Sequence, residues 1–323
     1  MPKKTDKPTG VDATPPPPEI VKLDEPDDMI VVTYSELDSF RQCPLKHKWS
    51  YIDGWREEAK VGSPLARGSL WHNAMEINYT WLQRHPETEL SKIRGFIRNN
   101  LLIDPQTGEQ NDDQKLVEWM LEGHHQCYAK DAGWEIVQVE TAHRVRLGPP
   151  NSRFFLQFKI DLLIREKKTK NLHLVDHKSA SQFSRKVEID IDDQFGLYTW
   201  GLRQLGYNVM GTIRSDARTQ RNKGVMTMDQ RFRRVPTFRT QIELNRIAAD
   251  AYDCARTAYS SQRVIHSSPA PDRCAWRCSY LQPHLMIRKG FEEEQALTDF
   301  GFSQQTTKHM EYASNPILDL IPK

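Results

Sequence analysis

Three side chains at two points in the chain have the types and spacing needed to hydrolyse a phosphate ester. Asp161 closes the apolar run FFLQFKID, and fifteen residues later come Asp176, His177 and Lys178. In Asp-Xaa-Lys the two-residue period of a strand puts the carboxylate and the amine on one face. Two carboxylates, with the backbone carbonyl of His177 as a third oxygen, suit a hard divalent cation. A lysine beside that ion can orient or help deprotonate a water and neutralise charge growing on phosphate. An isolated pattern of this kind is equally what ordinary ion pairs at strand ends look like, so the rest of the chain has to decide.

For the two acids to meet, their strands must pair. Trp134–Leu147, Arg153–Arg165 and Leu172–His177 are β-rich runs with partial alternation, and the polar turn EKKTKN joins the last two. They predict three consecutive antiparallel strands that bring Asp161 and Asp176 to one edge of a hairpin. Ahead of them, Thr33-Tyr-Ser-Glu36 predicts a capping box opening a helix through Leu37 and Phe40, interrupted at Pro44. A second short helix carries Trp49, Tyr51 and Ile52. Apolar spacing predicts helices over about 64–82 and 112–130. After the hairpin come a helix over about 191–205, an apolar strand Val209–Ile213, a basic loop, and a helix over about 237–259. Helices followed by strands and then alternating elements imply an α/β fold, a mixed central sheet with helices on its faces. No glycine-rich phosphate loop of the nucleotide-driven motors is present.

Taken in order, these segments resemble the PD-(D/E)XK nuclease superfamily with its restriction-endonuclease-like fold. The resemblance is to the RecB-like branch that contains CRISPR-associated iron–sulfur exonucleases and their phage relatives, and it spans about residues 33–285. It rests on YSELDSFRQCPLKHKWSYIDGW, ARGSLWHNAME, WEIVQVE, FKIDLLI, LHLVDHKSA and DDQFGLYTWGLRQLGY. It implies that His72 joins Asp161 and Asp176 as a metal ligand and that Glu140 is the acid of the first core strand. It also implies that Gln194 and Tyr198, four apart on one helical face, bind phosphate or orient Lys178. The metal expected is Mg²⁺ or Mn²⁺, and the activity hydrolysis of DNA from its ends. A nuclease-like module that binds DNA without cutting, and a structure-selective endonuclease, are the alternatives.

The 323 residues carry a formal net charge of +2, with 27% charged and 38% hydrophobic residues, which is a globular composition with material for a large core. No apolar run reaches membrane-spanning length and MPKKTDKPTG lacks a secretory pattern, so a cytoplasmic setting, bacterial or in a phage-infected host, is expected. The charge is uneven. From Arg214 to Arg239 stand eight basic residues, among them Arg214, Arg218, Arg231, Arg233 and Arg234, against Asp216 and Asp229. A phosphate-tracking surface is one reading of that run, and a solvated loop is the other. DNA, as single strands or duplex ends, is the expected partner, with recombination or replication proteins beside it.

Five cysteines do not suggest a disulfide framework in such a setting. Relatives in the resembled branch close a four-cysteine iron–sulfur site with one N-terminal and three C-terminal residues. Cys43, Cys274 and Cys278 match three positions, and His284 stands where the fourth is expected. The resemblance therefore implies a 4Fe-4S cluster, zinc being the alternative set for three Cys and one His. Cys127 and Cys254 read as core residues. Residues 1–29, rich in Pro and Lys, are expected to be a disordered tail, residues 30–290 the nuclease domain with its clasp, and residues 291–323 a C-terminal extension.

Overall fold

The strand-rich middle of the chain forms the hairpins its alternation predicts. In the computed structural model, which describes residues 28–57, 62–220, 226–260, 265–305 and 315–322, β1 (Ile30–Val32) leads into α1 (Tyr34–Gln42), α2 (Pro44–His47) and β2 (Trp55–Glu57). Helices α3 (Pro64–Arg84), α4 (Leu90–Leu101) and α5 (Asp112–Tyr128) precede the long strands β3 (Trp134–Arg146), β4 (Phe154–Glu166) and β5 (Leu172–Ala180). Then follow α6 (Lys186–Asp190), α7 (Asp193–Gln204), β6 (Val209–Arg218), α8 (Met228–Arg231), β7 (Phe232–Thr237) and α9 (Gln241–Ala258). The C-terminal part holds α10 (Pro271–Arg277), α11 (Leu281–Ile287), α12 (Glu293–Asp299) and β8 (Phe302–Gln304). The proposed tail lies outside the described residues except for its last two.

The main sheet is mixed. β4 pairs antiparallel with β3 along its whole length, and its other edge is shared between β1 at its start and β5 at its end. β5 then pairs in parallel with β6, and β6 antiparallel with β7. One face packs on α3, α4 and α5 through Trp71, Met75, Ile93, Ile97 and Met120; the other packs on α1, α7 and α9 through Leu37, Leu197, Leu244 and Ala251. Gly201 lets α7 lie close on β4, where an added Cβ would sit 2.7 Å from the Phe158 ring.

Local chemistry explains where the helices start. Ser63 caps α3 by accepting from Ala66 N at 3.2 Å with Pro64 at the first helical position, and Asn111 and Gln114 form a capping box on α5. The predicted box at Thr33 is only half made. Thr33 accepts from Glu36 N at 3.2 Å, but the Glu36 carboxylate is fully buried and is taken instead by His47 at 3.2 Å and by the Tyr259 hydroxyl.

Several expectations are corrected. The segment carrying Trp49, Tyr51 and Ile52 is a π-helical turn, Lys48–Ile52. The strand at Val209 runs on to Arg218, and the basic stretch behind it is no simple loop, since its described part holds α8 and β7. The last long helix starts at Gln241, capped by Thr240. Helix α4 was not foreseen, although Leu90, Ile93, Ile97 and Leu101 carry a helical period.

The C-terminal residues fold back onto the N-terminal ones. β8 pairs with β2, Tyr280 O–H donates to Trp55 O at 2.7 Å, and Trp49, Trp55, Tyr280, Leu297 and Phe302 form a third apolar cluster. Ile321 is buried in the cluster around α3. Parts of 291–323, expected as an extension, are thus packed against the core.

A set of buried neutral histidines makes stability depend on pH. His124, 2% exposed, sits among the rings of Trp71, Tyr79, Tyr128 and Phe232, and burial holds its pKa well below the ordinary value. Burial likewise pushes His125 and His143 down to about 4. A histidine depressed in the fold binds its proton only when unfolded between these values and about 6.5, so the unfolded state holds more protons there. The share of stability these histidines govern should therefore be full above about pH 6.5 and fall toward pH 4, by on the order of a few degrees of melting temperature per pH unit. Thermal melts across that range check it, and His124→Phe should flatten the slope. An identical slope in that variant would remove His124 from the account.

Candidate active site

The site forms where two strands part. The β4–β5 ladder ends at the pair Leu162–Val175, so Asp161 and Asp176 stand just past the last rung. There the carboxylate of Asp161 takes over from the ladder, its Oδ2 accepting from His177 N at 2.7 Å. This is the meeting of the two acids at one hairpin edge that the sequence predicts. Asp176 and Lys178 share a face of β5, with Nζ donating to Oδ1 at 2.9 Å. The His177 ring lies stacked on Tyr79, with centroids 5.3 Å apart.

Two further groups close on Asp161. Glu140 faces it across β3–β4, between the pairs Val139–Leu162 and Thr141–Ile160, with its backbone in the left-handed region at φ 43°. His72, in the third turn of α3, places Nδ1 3.4 Å from Asp161 Oδ2 and 3.7 Å from Glu140 Oε1. The ligand atoms of His72, Glu140 and Asp161 all lie within 4.8 Å of one another, the one such group among the described residues. Asp176 stands beside it, 5% exposed, with Oδ2 buried and unpartnered.

The electrostatics are those of a cation site. Burial opposes charge on His72, yet Asp161 and Glu140 outweigh it and push the imidazole pKa up to about 10. Burial would raise Asp161, but His72 and Lys178 hold it well below the usual carboxylate range. Asp176 goes the other way: burial, opposed by Lys178 and reinforced by Asp161, pushes it up to about 6. Lys178 stays charged despite burial because Asp176 and Asp161 face it. The donor set of carboxylates with one imidazole, together with the orphaned Asp176 Oδ2, fits a small divalent cation.

Two neighbours escaped the sequence reading. Lys159 pairs with Glu140 at 2.8 Å, and Glu76 lies buried one turn after His72, accepting from Asn315 at 3.0 Å. Their spacing was the available signal, since Lys159 is two residues from Asp161 on one strand and Glu76 four from His72 on one helix.

Other expected site residues are placed elsewhere. Gln194 lies in the first turn of α7, lining a cleft with Tyr34, Lys46 and Arg56. Tyr198 is 9% exposed and its ring packs on Phe158 at 5.2 Å. Of the basic run, Arg214 and Arg233 both bind the buried Asp216 at 2.7 Å, and Arg218 donates to Ser181 O at 2.9 Å. Arg231 is 7% exposed and stacks on Trp119, and Arg234 grips Asp131. These arginines serve the sheet and its packing, carried there by β6 and β7 and, for Arg231, by α8. Cys43 and Cys274 accept backbone N–H groups of Ser268 and Ala270, each at 3.4 Å, and Cys278 is close enough to both for their charges to act on it. The His284 ring lies edge-on to Trp49, 6.0 Å away.

The chain is similar in structure to a protein of Eubacterium rectale named for a proposed exonuclease activity, at 14% identity and a TM-score of 0.44, covering 76% of this chain and 92% of that one. It is also similar to the structure of SSO0001, at 10% identity and a TM-score of 0.34, covering 76% and 82%. No curated protein matches it. The family model for the PD-(D/E)XK nuclease superfamily matches residues 31–282, a span holding His72, Glu140, Asp161, Asp176 and Lys178, and the chain belongs to that superfamily.

Proposed function

We propose that this nuclease hydrolyses phosphodiester bonds of DNA with Mg²⁺ or Mn²⁺, working from strand ends. The observation that carries the reading is the convergence of His72, Glu140 and Asp161 beside the Asp176–Lys178 pair. His72, Asp161 and Asp176, with Glu140 and the His177 carbonyl, would hold the ion. When bound it would polarise the phosphoryl oxygen and acidify a water. Lys178, poised by Asp176 at 2.9 Å, can donate a proton to hydrogen-bond the attacking water or a non-bridging oxygen. Asp161, anchored on His177 N, fixes the spacing of the two strands and so the geometry of the donors. Lys159 neutralises Glu140 from behind and keeps three carboxylates tolerable in one place.

We further propose that Cys43, Cys274, Cys278 and His284 hold an iron–sulfur cluster, or zinc, as a clasp between the two ends of the chain. Backbone N–H groups of Ser268 and Ala270 donate to the Cys43 and Cys274 sulfurs, the kind of hydrogen bond that cluster sulfurs accept. A clasp of this span would add directly to folding stability.

One preparation tests both readings. Pure protein with Mn²⁺ should digest linear DNA carrying an end label and leave covalently closed circles intact, and should contain iron with sulfide or equimolar zinc. Cutting of circles at the rate of linear DNA would make it an endonuclease. Protein lacking all three elements would leave the cysteines as packing residues.

A further inference from the structure

We propose that the cleft between α1, α2, β2 and the first turns of α3 and α7 is a phosphate-backbone subsite, which holds the nucleic-acid strand running to the metal centre. It rests on the nuclease reading above and adds to it where the strand lies. The cleft has a volume of about 800 Å³, within the range of roughly 300–1,000 Å³ usual for ligand pockets.

Its walls are built for an anion. Three helices begin there, contributing Tyr34 and Ser35 of α1, Pro64 and Leu65 of α3, and Gln194 of α7. Pro64 has no N–H and Asp192 takes that of Gln194, so what the three helix starts share is the positive end of the macrodipole. Lys46 from α2 and Arg56 from β2 add formal positive charge. Ser39, 5% exposed, lines the same cleft with a buried hydroxyl that no described group satisfies. Two acids share the walls, Asp38 and Glu57. Asp38 already accepts from Gln42 at 2.5 Å, and burial pushes its carboxyl toward the neutral form.

Of the three tyrosines lining the cleft Tyr34 is half-buried, and the other two are not free to read bases. Tyr51 and Tyr280 are 8% and 5% exposed, and Arg56 lies over Tyr51 at 4.7 Å. Ser50 donates to Tyr280 Oη at 2.8 Å. Stacking platforms need open faces. The ligand that fits is therefore the charged backbone, bound with little regard to sequence.

Position ties the cleft to the reaction. Asp192 caps α7 by accepting from Gln194 N at 3.0 Å, and its charge acts on both Tyr34 in the cleft and Lys178 in the site. Helix α3 carries Leu65 at the cleft and His72 at the site, about 10 Å apart at 1.5 Å rise per residue. That separation spans about three nucleotides at a rise of roughly 3.4 Å each.

The test uses the full chain and a 5′-fluorescein single-stranded oligonucleotide of about 20 nucleotides, read by anisotropy in EDTA over a salt series and by cleavage with Mn²⁺. Lys46→Glu should weaken binding about tenfold or more, lower the salt slope by about one, and raise KM with kcat near the parent's. Lys46→Arg should restore affinity, and Gln194→Glu in the α7 part of the wall should weaken binding in the same way. If Lys46→Glu does not fold, Lys46→Gln should still show the lowered slope. Folded Lys46 and Gln194 variants that bind with parental affinity and slope would overturn the subsite, while parental cleavage would leave the nuclease standing. A parent that binds and loses affinity as described, yet cuts nothing with either metal, would overturn the nuclease reading and keep the subsite.

Discussion

Asp161→Asn should lower single-turnover cleavage by on the order of 10²–10³-fold while oligonucleotide affinity changes little. The substitution keeps the volume and an acceptor for His177 N, now 2.7 Å from Asp161 Oδ2, so the parting of β4 and β5 should survive. What it removes is one unit of negative charge from a buried group of ligands that lie within 4.8 Å of one another. At an effective dielectric near 20 a charge about 4 Å away is worth about 4 kcal/mol, the right size for that loss of rate. The change should also release His72, whose proton is held by Asp161 and Glu140. Mn²⁺ affinity by calorimetry should fall with the rate. A variant cutting at the parental rate would move the centre away from the His72, Glu140 and Asp161 group.

The second large effect is on stability and lies away from the chemistry. Arg234 grips Asp131 bidentately at 2.5 and 2.9 Å, sits over Tyr128 and Trp134 at 3.6 and 4.0 Å, and Tyr79 O–H donates to the same carboxylate at 2.7 Å. Tyr79 is in turn the ring on which His177 stacks. Arg234→Ala would leave Asp131 buried without its cation, which costs about 3–5 kcal/mol. Denaturant midpoints should shift accordingly, and Arg234→Lys should recover only part, since a point charge cannot make both bonds. Arg234→Ala with Asp131→Asn should be less damaging than the arginine change alone. The salt slope of DNA binding should not move in any of these variants. A lowered slope with unchanged stability would return Arg234 to the nucleic-acid surface, where its place in a basic run suggested it belongs.

The sequence alone determined the parts of the site that follow local rules. Period-two alternation put Asp176 and Lys178 on one face, and the turn at 166–171 brought Asp161 to the same edge, where the two acids now flank the last rung. The order of motifs identified the fold, and apolar spacing located α3 and α5 to within a few residues. Only the tertiary structure decided which charges are free. The arginines between 214 and 239 look alike in sequence, yet β6, α8 and β7 turn most of the described ones onto Asp216, Asp131 and Trp119. Which acid meets which base depends on strand register and helix packing, and no run of neighbouring residues encodes either. The same holds for Lys159 and Glu76, whose partners come from β3 and from residue 315. The cleft lined by Lys46 and Gln194 has the same origin: its walls come from residues 34–57, 63–65, 194 and 279–280, and only packing puts three helix starts around one volume.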